Sequence, residues 1–271
     1  MNISTVVDVK RPTSLNEISG WHDGCSWLAG GTWLFAEPQV AVDTLIDLES
    51  LGWAPLTATE SGLEIAATCR IVELHGFEGP PAWCAVPLFR HCIDSFLMSF
   101  KIWNAATVGG NVCMSLPAGA MVSLTAALEG VCTLWPRDGE PRTVPVVDFV
   151  TGNHANVLGR GELLRSIHLP AAALAKRTAM RQVSLTRYGR SAALIIATVG
   201  DGGADFLLTI TAATPRPVQL RFATLPSADD LRRAIDGRLP PDAYFPDVHG
   251  SAAYKRHVTQ YLAEQIRTEL A

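Results

Sequence analysis

The sequence lacks the features by which several classes of protein are recognised. Its 271 residues carry a net charge of only −4, so it offers no broad basic surface for a nucleic-acid backbone, and we expect no nucleic-acid partner. Its apolar runs, such as residues 192–199, are far shorter than the roughly 20 residues that cross a bilayer. Residues 1–12 also lack the apolar centre of a secretory signal. We therefore expect a cytoplasmic protein without a membrane span.

Cysteine and histidine are present, but their spacing does not indicate metal ligands or catalytic groups. The six cysteines form no C-x-x-C pair and no iron–sulfur pattern, and the seven histidines form no H-x-x-x-H cluster. No serine or cysteine lies in a nucleophile motif. We assign no metal and no catalytic residue to this chain, and we expect the cysteines to be small buried side chains.

Helix and strand patterns are mixed over the first part of the chain. A capping-box pattern at Ser14 predicts a short helix, and residues 25–29 and 42–48 are typical of buried strands. Residues 85–100 carry apolar side chains, Leu97 among them, at the spacing of one buried helical face.

The last hundred residues have a simpler pattern. Three strands are predicted at residues 178–185, 192–199 and 206–211, and two helices follow, capped by Ser227 and Ser251. Three strands followed by two helices indicate a small α+β domain.

Two glycine pairs carry the clearest functional signal. One lies in LAGGTWL, residues 28–34, and the other in ATVGGN, residues 106–111. Glycine lets main-chain amides approach an anion closely, and a neighbouring Thr or Asn adds a side-chain donor, so the two segments together suit a pyrophosphate. Each pair taken alone is more typical of a tight turn, because Gly-Gly turns at strand ends are common. Neither belongs to a G-x-G-x-x-G or G-K-[ST] motif, so the usual nicotinamide site is not encoded.

The order of these motifs resembles the FAD-binding medium subunit of molybdenum hydroxylases, the family of xanthine dehydrogenase and carbon monoxide dehydrogenase. LAGGTWL resembles the family's first pyrophosphate loop, commonly AGGTDL, and IWNAATVGGN at residues 102–111 resembles the second, commonly IRN-x-x-TIGGN. GELL at residues 161–164 and YKRH at residues 254–257 resemble two later landmarks. The resemblance extends over nearly the whole chain.

The resemblance implies a fold, a domain organisation and a cofactor. The fold is α+β, with a two-lobed FAD-binding domain of the vanillyl-alcohol-oxidase (PCMH) type over residues 1–170, its lobes at about 1–50 and 51–170. A smaller domain, like the C-terminal domain of the carbon monoxide dehydrogenase flavoprotein, follows over residues 171–271, with a three-stranded sheet and helices. The candidate FAD-binding residues are Leu28, Ala29, Gly30, Gly31, Thr32, Trp33, Leu34, Ala106, Thr107, Gly109, Gly110, Asn111, Cys113, Leu164 and Arg181.

Arg181 has two interpretations. It lies near the place where relatives often carry a Lys beside the flavin, where a cation would stabilise the anionic reduced form. Alternatively, it is a solvated arginine on a strand.

The resemblance also implies partners. A substrate would be hydroxylated at molybdopterin on a large subunit, and electrons would pass through two iron–sulfur clusters on a small subunit to the FAD of this chain. NAD, oxygen or another acceptor would then take them, in a dimer of heterotrimers. This chain does not specify the acceptor, nor whether the substrate is a purine, another N-heterocycle, an aldehyde or carbon monoxide.

Three residues depart from the family pattern and keep alternatives open. Trp33 and Trp103 replace a common Asp and Arg, and each would either stack on a ring of FAD or serve packing. Ala120 replaces an Asp that bonds the FAD sugar, a loss worth roughly 1.5 to 3 kcal/mol. One alternative is therefore a scaffold subunit with weakened or lost FAD. Another is a self-contained flavin oxidase, for which the residues after Pro170 are too few to form a substrate domain.

Overall fold

The computed structural model describes residues 3–18, 20–96, 98–187 and 189–271. Leu97, predicted to lie on the buried face of a helix, is outside the described residues. No helix in the described ranges is long and apolar enough to cross a membrane.

The first lobe is a small parallel sheet. Its strands are β1 (Asp8–Lys10), β2 (Cys25–Leu28) and β3 (Thr44–Asp47), in the spatial order β1-β3-β2. The short helix predicted after Ser14 is a single 3-10 turn, Leu15–Glu17, and a second such turn, Glu49–Leu51, leads out of the lobe. Both predicted strands are present, although each is shorter than its apolar run.

The second lobe packs short helices against an antiparallel sheet. The elements are β4 (Leu56–Thr59), β5 (Gly62–Ala66), α1 (Ile71–His75), α2 (Pro87–Asp94), α3 (Phe100–Trp103), α4 (Val108–Met114), α5 (Ala120–Ala127), β6 (Val131–Trp135), β7 (Arg142–Pro145), α6 (Val146–Phe149), β8 (Val150–Gly152), β9 (Ala155–Asn156) and β10 (Leu163–Pro170). The main sheet has the order β4-β5-β10-β6-β7, and β8 pairs with β9 alone.

The helix predicted over residues 85–100 is wrong in its second half. Its first part is α2, which begins with Pro87 in its first turn and ends at Asp94. The chain leaves the helix at Ser95, whose hydroxyl donates to the carbonyl of Cys92 (2.6 Å). A separate short helix, α3, begins five residues later at Phe100.

The last part of the chain is an antiparallel sheet covered by helices. The elements are α7 (Ala171–Leu174), β11 (Arg177–Val183), β12 (Ala193–Val199), β13 (Ala204–Thr211), β14 (Val218–Thr224), α8 (Ala228–Arg238) and α9 (Ala252–Leu270). The sheet has four strands in the order β11-β12-β13-β14. The prediction of a three-stranded sheet is therefore wrong, because it omitted β14. Ser227 and Ser251 cap α8 and α9 through their hydroxyls, as predicted.

Strand β12 explains how the last sheet joins the rest of the molecule. Leu194 and Ile196 belong to the same hydrophobic core as helix α5, whereas Ala193 and Ile195 belong to a second core beneath α9. The strand is therefore buried on both faces, which accounts for its continuous apolar run. The α+β fold class is confirmed, and the domain boundary at residue 170 stays a prediction.

The cysteines only partly follow the expectation that all are buried. Cys69, Cys92 and Cys132 lie in the core, whereas Cys84 is exposed and Cys25 and Cys113 are half-buried. The prediction is therefore wrong for these last three.

Candidate FAD-binding site

A cavity of about 740 Å³ lies where the first lobe, the second lobe and the last sheet meet. Its volume falls within the range of about 300 to 1,000 Å³ that is typical of small-molecule sites. Most of the predicted site residues line it: Ala29, Gly30, Gly31, Thr32, Trp33, Leu34, Ala106, Thr107, Gly110, Asn111 and Cys113. We call it the central cavity.

The first glycine segment provides free main-chain donors. It leaves β2 and makes one helical turn, in which the Phe35 amide donates to the Gly31 carbonyl (2.9 Å). Gly31 has a φ of +66°, a conformation that favours glycine, and a Cβ there would lie 2.5 Å from the Phe35 ring. Among the described residues, the amides of residues 30–34 have no hydrogen-bond acceptor. Consecutive free amides of this kind form an anion site.

Gly30 is required for the approach of the two lobes. A Cβ at this position would overlap the carbonyl oxygen of Ala105, which belongs to the second lobe. Only a residue without a side chain lets the two chain segments meet here.

The second glycine segment differs from the expectation that its amides are available. Thr107 caps α4, and its hydroxyl accepts from the Gly110 amide (3.0 Å). The amides of Val108 and Gly109 donate to the carbonyls of Cys69 (2.8 Å) and Ala67 (3.0 Å). The donors that this segment can offer to a ligand are therefore the Thr107 amide, which has no acceptor among the described residues, and the side chains of Thr107 and Asn111.

Asn111 also fixes the far wall of the central cavity. Its side-chain oxygen accepts from the Met121 amide (3.1 Å) at the start of α5. This bond anchors the segment of Pro117, Ala118 and Gly119, all of which line the cavity.

Four predicted residues do not line the central cavity. Leu28 ends β2 and accepts from the Leu48 amide (2.8 Å), and Gly109 is buried against Ala67. Leu164 is a core residue of β10 with 3% of its surface exposed. Arg181 pairs with Glu269 of α9 (2.5 Å). A role for these residues at FAD stays a prediction.

Two of the departures from the family pattern have distinct surroundings. Trp33 lines the central cavity. Its ring contacts the ring of His154, with centroids 5.7 Å apart. Trp103 packs against His75 at 5.1 Å and against the core, outside the cavity lining. Packing therefore accounts for Trp103, whereas Trp33 is placed for ligand contact.

Ala120 is buried in the core, and the half-buried Cys113 packs against the same core. Ala120 is the first residue of α5, only 1% exposed and part of the core. Burial raises the pKa of the Cys113 thiol to about 12. This thiol is therefore protonated at neutral pH and offers contact rather than reactivity.

The sequence patterns did not indicate the third wall of the central cavity. Arg190, Ala212, Phe245, Asp247 and His249 contribute to it from the last part of the chain. These residues have no shared motif, and only the folded chain brings them beside the glycine segments.

A buried cation holds this third wall in place. Lys255 of α9 donates to a carboxylate oxygen of Asp247 (2.9 Å) and to the carbonyl of Ala212 (3.2 Å). Ala212 has a φ of +63°, which costs an alanine of order 1–3 kcal/mol. The ammonium group therefore stabilises a strained part of the cavity wall.

The donor set fits FAD. Free amides and side-chain donors suit a pyrophosphate, and Trp27 and Trp33 place aromatic side chains in the lining. The indole N–H of Trp27 is buried without an acceptor among the described residues, as expected of a donor beside a ligand site.

A family model supports the same assignment. Residues 4–172, more than half of the chain, match the FAD-binding domain of molybdopterin dehydrogenases. The chain belongs to this family. The match confirms the resemblance found in the sequence. It also confirms that FAD is the cofactor of this domain and that its family is one of oxidoreductases.

Relatives of known structure share the whole fold. The chain is similar to one in quinoline 2-oxidoreductase of Pseudomonas putida 86, with a TM-score of 0.77, 17% identity and coverage of 97% of this chain and 96% of that one. It is similar to one in reconstituted CO dehydrogenase of Oligotropha carboxidovorans, with a TM-score of 0.80, 18% identity and 99% coverage of both.

Curated relatives are larger proteins. Xanthine dehydrogenases 1 and 2 of Arabidopsis thaliana are each 25% identical over 132 residues, which make up 42% of this chain. The match spans only 9% of the length of these enzymes.

Proposed function

We propose that this chain holds FAD in the central cavity and acts as the electron-transfer flavoprotein of a molybdenum hydroxylase. The observation that carries the proposal is the row of free amides at residues 30–34, all of which line a cavity that the second glycine segment also lines. These amides, together with Thr107 and Asn111, would hold the FAD pyrophosphate. When bound, FAD supplies the redox chemistry, and the protein binds, orients and shields it.

The proposal includes partners that this chain does not contain. A large subunit would carry molybdopterin, and a small subunit would carry two iron–sulfur clusters that deliver electrons to this chain. NAD, oxygen or another acceptor would receive them, in a cytoplasmic dimer of heterotrimers. The full-length likeness in fold to chains of CO dehydrogenase and quinoline 2-oxidoreductase supports this assembly.

The first test places a carboxylate in each glycine segment. Gly31→Asp and Gly110→Asp should each expel FAD, because an anion would then face the pyrophosphate. The chain provides matched controls: Gly52 has a φ of +63° and Gly237 lies within a helix, and a Cβ added at either position would meet no atom within 4 Å apart from those of its chain neighbours and, for Gly237, its own helix backbone. Gly52→Asp and Gly237→Asp should retain FAD. Full flavin content in Gly31→Asp or Gly110→Asp would refute the assignment of that segment.

The second test separates electron transfer from substrate oxidation. The chain expressed alone should not transfer electrons from the substrate of the complex to any acceptor, and should do so once the partner subunits are added. Substrate-dependent flavin reduction by the isolated chain would instead favour a self-contained oxidase.

One alternative has a specific observation in its favour. The amides of Val108, Gly109 and Gly110 are all engaged within the protein, so the second segment offers fewer donors than the sequence pattern predicts. A scaffold subunit with weakened FAD binding would have such a site. The visible absorbance of the purified protein distinguishes the two, since only a flavin-loaded preparation is yellow.

A further inference from the structure

A Cys–His–Asp cluster lies in the first lobe, outside the lining of the central cavity. The Cys25 sulfur is 3.2 Å from Nδ1 of His22, and Nε2 of the same ring is 2.7 Å from a carboxylate oxygen of Asp43. A thiol, an imidazole and a carboxylate in this order form the arrangement that generates a nucleophilic thiolate.

The main chain brings the three side chains together. The Cys25 amide donates to the His22 carbonyl (3.0 Å), and the Asp43 amide donates to the Gly24 carbonyl (3.0 Å). Gly24 is needed here, because a Cβ at this position would overlap the Asp43 carboxylate. The Thr44 hydroxyl donates to Asp43 at 2.7 Å and completes its orientation.

Hydrogen bonds keep a proton on the imidazole. The bond from Nε2 of His22 to Asp43 raises the pKa of His22, and a bond from Nδ1, the atom beside the Cys25 sulfur, to the Gly20 carbonyl (3.2 Å) raises it further, whereas desolvation and the charge of Lys10 lower it. Bonds from Thr44 and His22 lower the pKa of Asp43. The imidazole therefore keeps its proton to a higher pH than an ordinary histidine does, and its Nδ1 lies 3.2 Å from the Cys25 sulfur.

The other cysteines have different environments. Burial raises the pKa of the thiols of Cys69, Cys92 and Cys132, so they remain protonated and inaccessible. Cys84 is exposed, and among the described residues no imidazole lies within hydrogen-bond distance of it. Cys84 is thus an accessible internal reference for Cys25.

We propose that Cys25 is a modification site, a thiolate assisted by His22 and Asp43 that reacts with hydrogen peroxide. The sulfur attacks one peroxide oxygen, the O–O bond breaks, and the His22 imidazolium gives its proton to the departing hydroxide. Sulfur loses two electrons and peroxide gains them, so the products are the Cys25 sulfenic acid, water and neutral imidazole. This site does not depend on FAD.

The primary experiment compares two cysteines within one native sample. The full chain is treated with limiting iodoacetamide near pH 6.5, and the alkylation rates of Cys25 and Cys84 are measured by peptide mass spectrometry. An ordinary thiol is about 1% thiolate at that pH, so we expect Cys25 to react at least about tenfold faster than Cys84. The same comparison in denaturant should give a ratio near one, which shows that the difference comes from the fold.

Variants and an oxidant test the mechanism. His22→Asn should bring the Cys25 rate down to that of Cys84, Asp43→Asn should give an intermediate rate, and neither should change Cys84. With peroxide and the sulfenic-acid trap dimedone, Cys25 should be labelled and Cys84 should not. Equal native rates for the two cysteines, a Cys25 rate that survives His22→Asn, or the absence of a dimedone adduct on Cys25 would each overturn the proposal.

Discussion

Replacing Lys255 by Met should weaken both the fold and the third wall of the central cavity. The Lys255 side chain is 0% exposed, and its ammonium group is bound by Asp247 and the Ala212 carbonyl at 2.9 and 3.2 Å. Both partners line the cavity. Met preserves most of the apolar stem, so the substitution removes mainly the charge and its two hydrogen bonds.

The expected loss can be worked out from the exposure of the two partners. Removing one member of a buried ion pair costs about 3–5 kcal/mol when the remaining charge stays dry. The Asp247 side chain remains 23% exposed, so water can compensate for part of its lost partner, and a loss of about 2–3 kcal/mol in the free energy of unfolding is expected. In a double-mutant cycle with Asp247→Asn, the coupling should lie within about 0.5–3 kcal/mol.

Urea unfolding at neutral pH measures the loss in the free energy of unfolding and the coupling energy. Arg256, which follows Lys255 in the chain, supplies a control. Arg256 pairs with Asp236 at 2.7 Å, but its side chain is 44% exposed, so Arg256→Met should cost less than about 1 kcal/mol. Lys255→Met should also retain less FAD than Arg256→Met. A loss below about 0.5 kcal/mol for Lys255→Met, or no coupling to Asp247, would refute the role given to the ammonium group.

Two further predictions concern the lobes. Arg142 lowers the pKa of Glu162 through a hydrogen-bonded ion pair. The Glu162 carboxylate therefore stabilises the fold above its unfolded pKa of about 4.3, and this stabilisation is lost as the pH falls through the folded pKa. The difference in the free energy of unfolding in urea between wild type and Glu162→Gln should shrink from pH 7 to pH 3, and a constant difference would contradict the assignment. Gly30→Ala should lower the free energy of unfolding by about 1–3 kcal/mol, because its Cβ would overlap the Ala105 carbonyl. The same variant should also bind less flavin. Gly237→Ala, on the open face of α8, is the control and should be neutral or stabilising.

Local sequence patterns predicted the elements whose signals are local. The capping serines Ser227 and Ser251, the buried strands of the last sheet and the two glycine segments were identified, because each depends on a few neighbouring residues, whereas the capping box predicted at Ser14 is wrong, since the Ser14 side chain makes no cap bond. Strand β14 was missed because it lies at a sheet edge, where only Val218 is buried and the apolar signal is weak.

The parts of the site that were not predicted depend on tertiary contacts. The periodicity of residues 85–100 does not reveal that Ser95 ends the helix, since the bond of its hydroxyl to Cys92 forms only in the folded turn. Likewise, no motif indicates that Asp247 and Ala212 meet at Lys255 beside the central cavity. The engaged amides at Val108 and Gly109 follow from Cys69 and Ala67, which are remote in sequence.

Because the central cavity has walls from three separate parts of the chain, ligand occupancy and assembly of these parts are thermodynamically linked. A ligand that binds only the assembled form stabilises it by RT ln(1 + [L]/Kd), or about 2.7 kcal/mol when free FAD is at one hundred times its Kd. The melting temperature should then rise with FAD concentration, and a cell short of riboflavin should contain less of the folded protein. Flavin supply would in this way set the abundance of the folded protein as well as its flavin content.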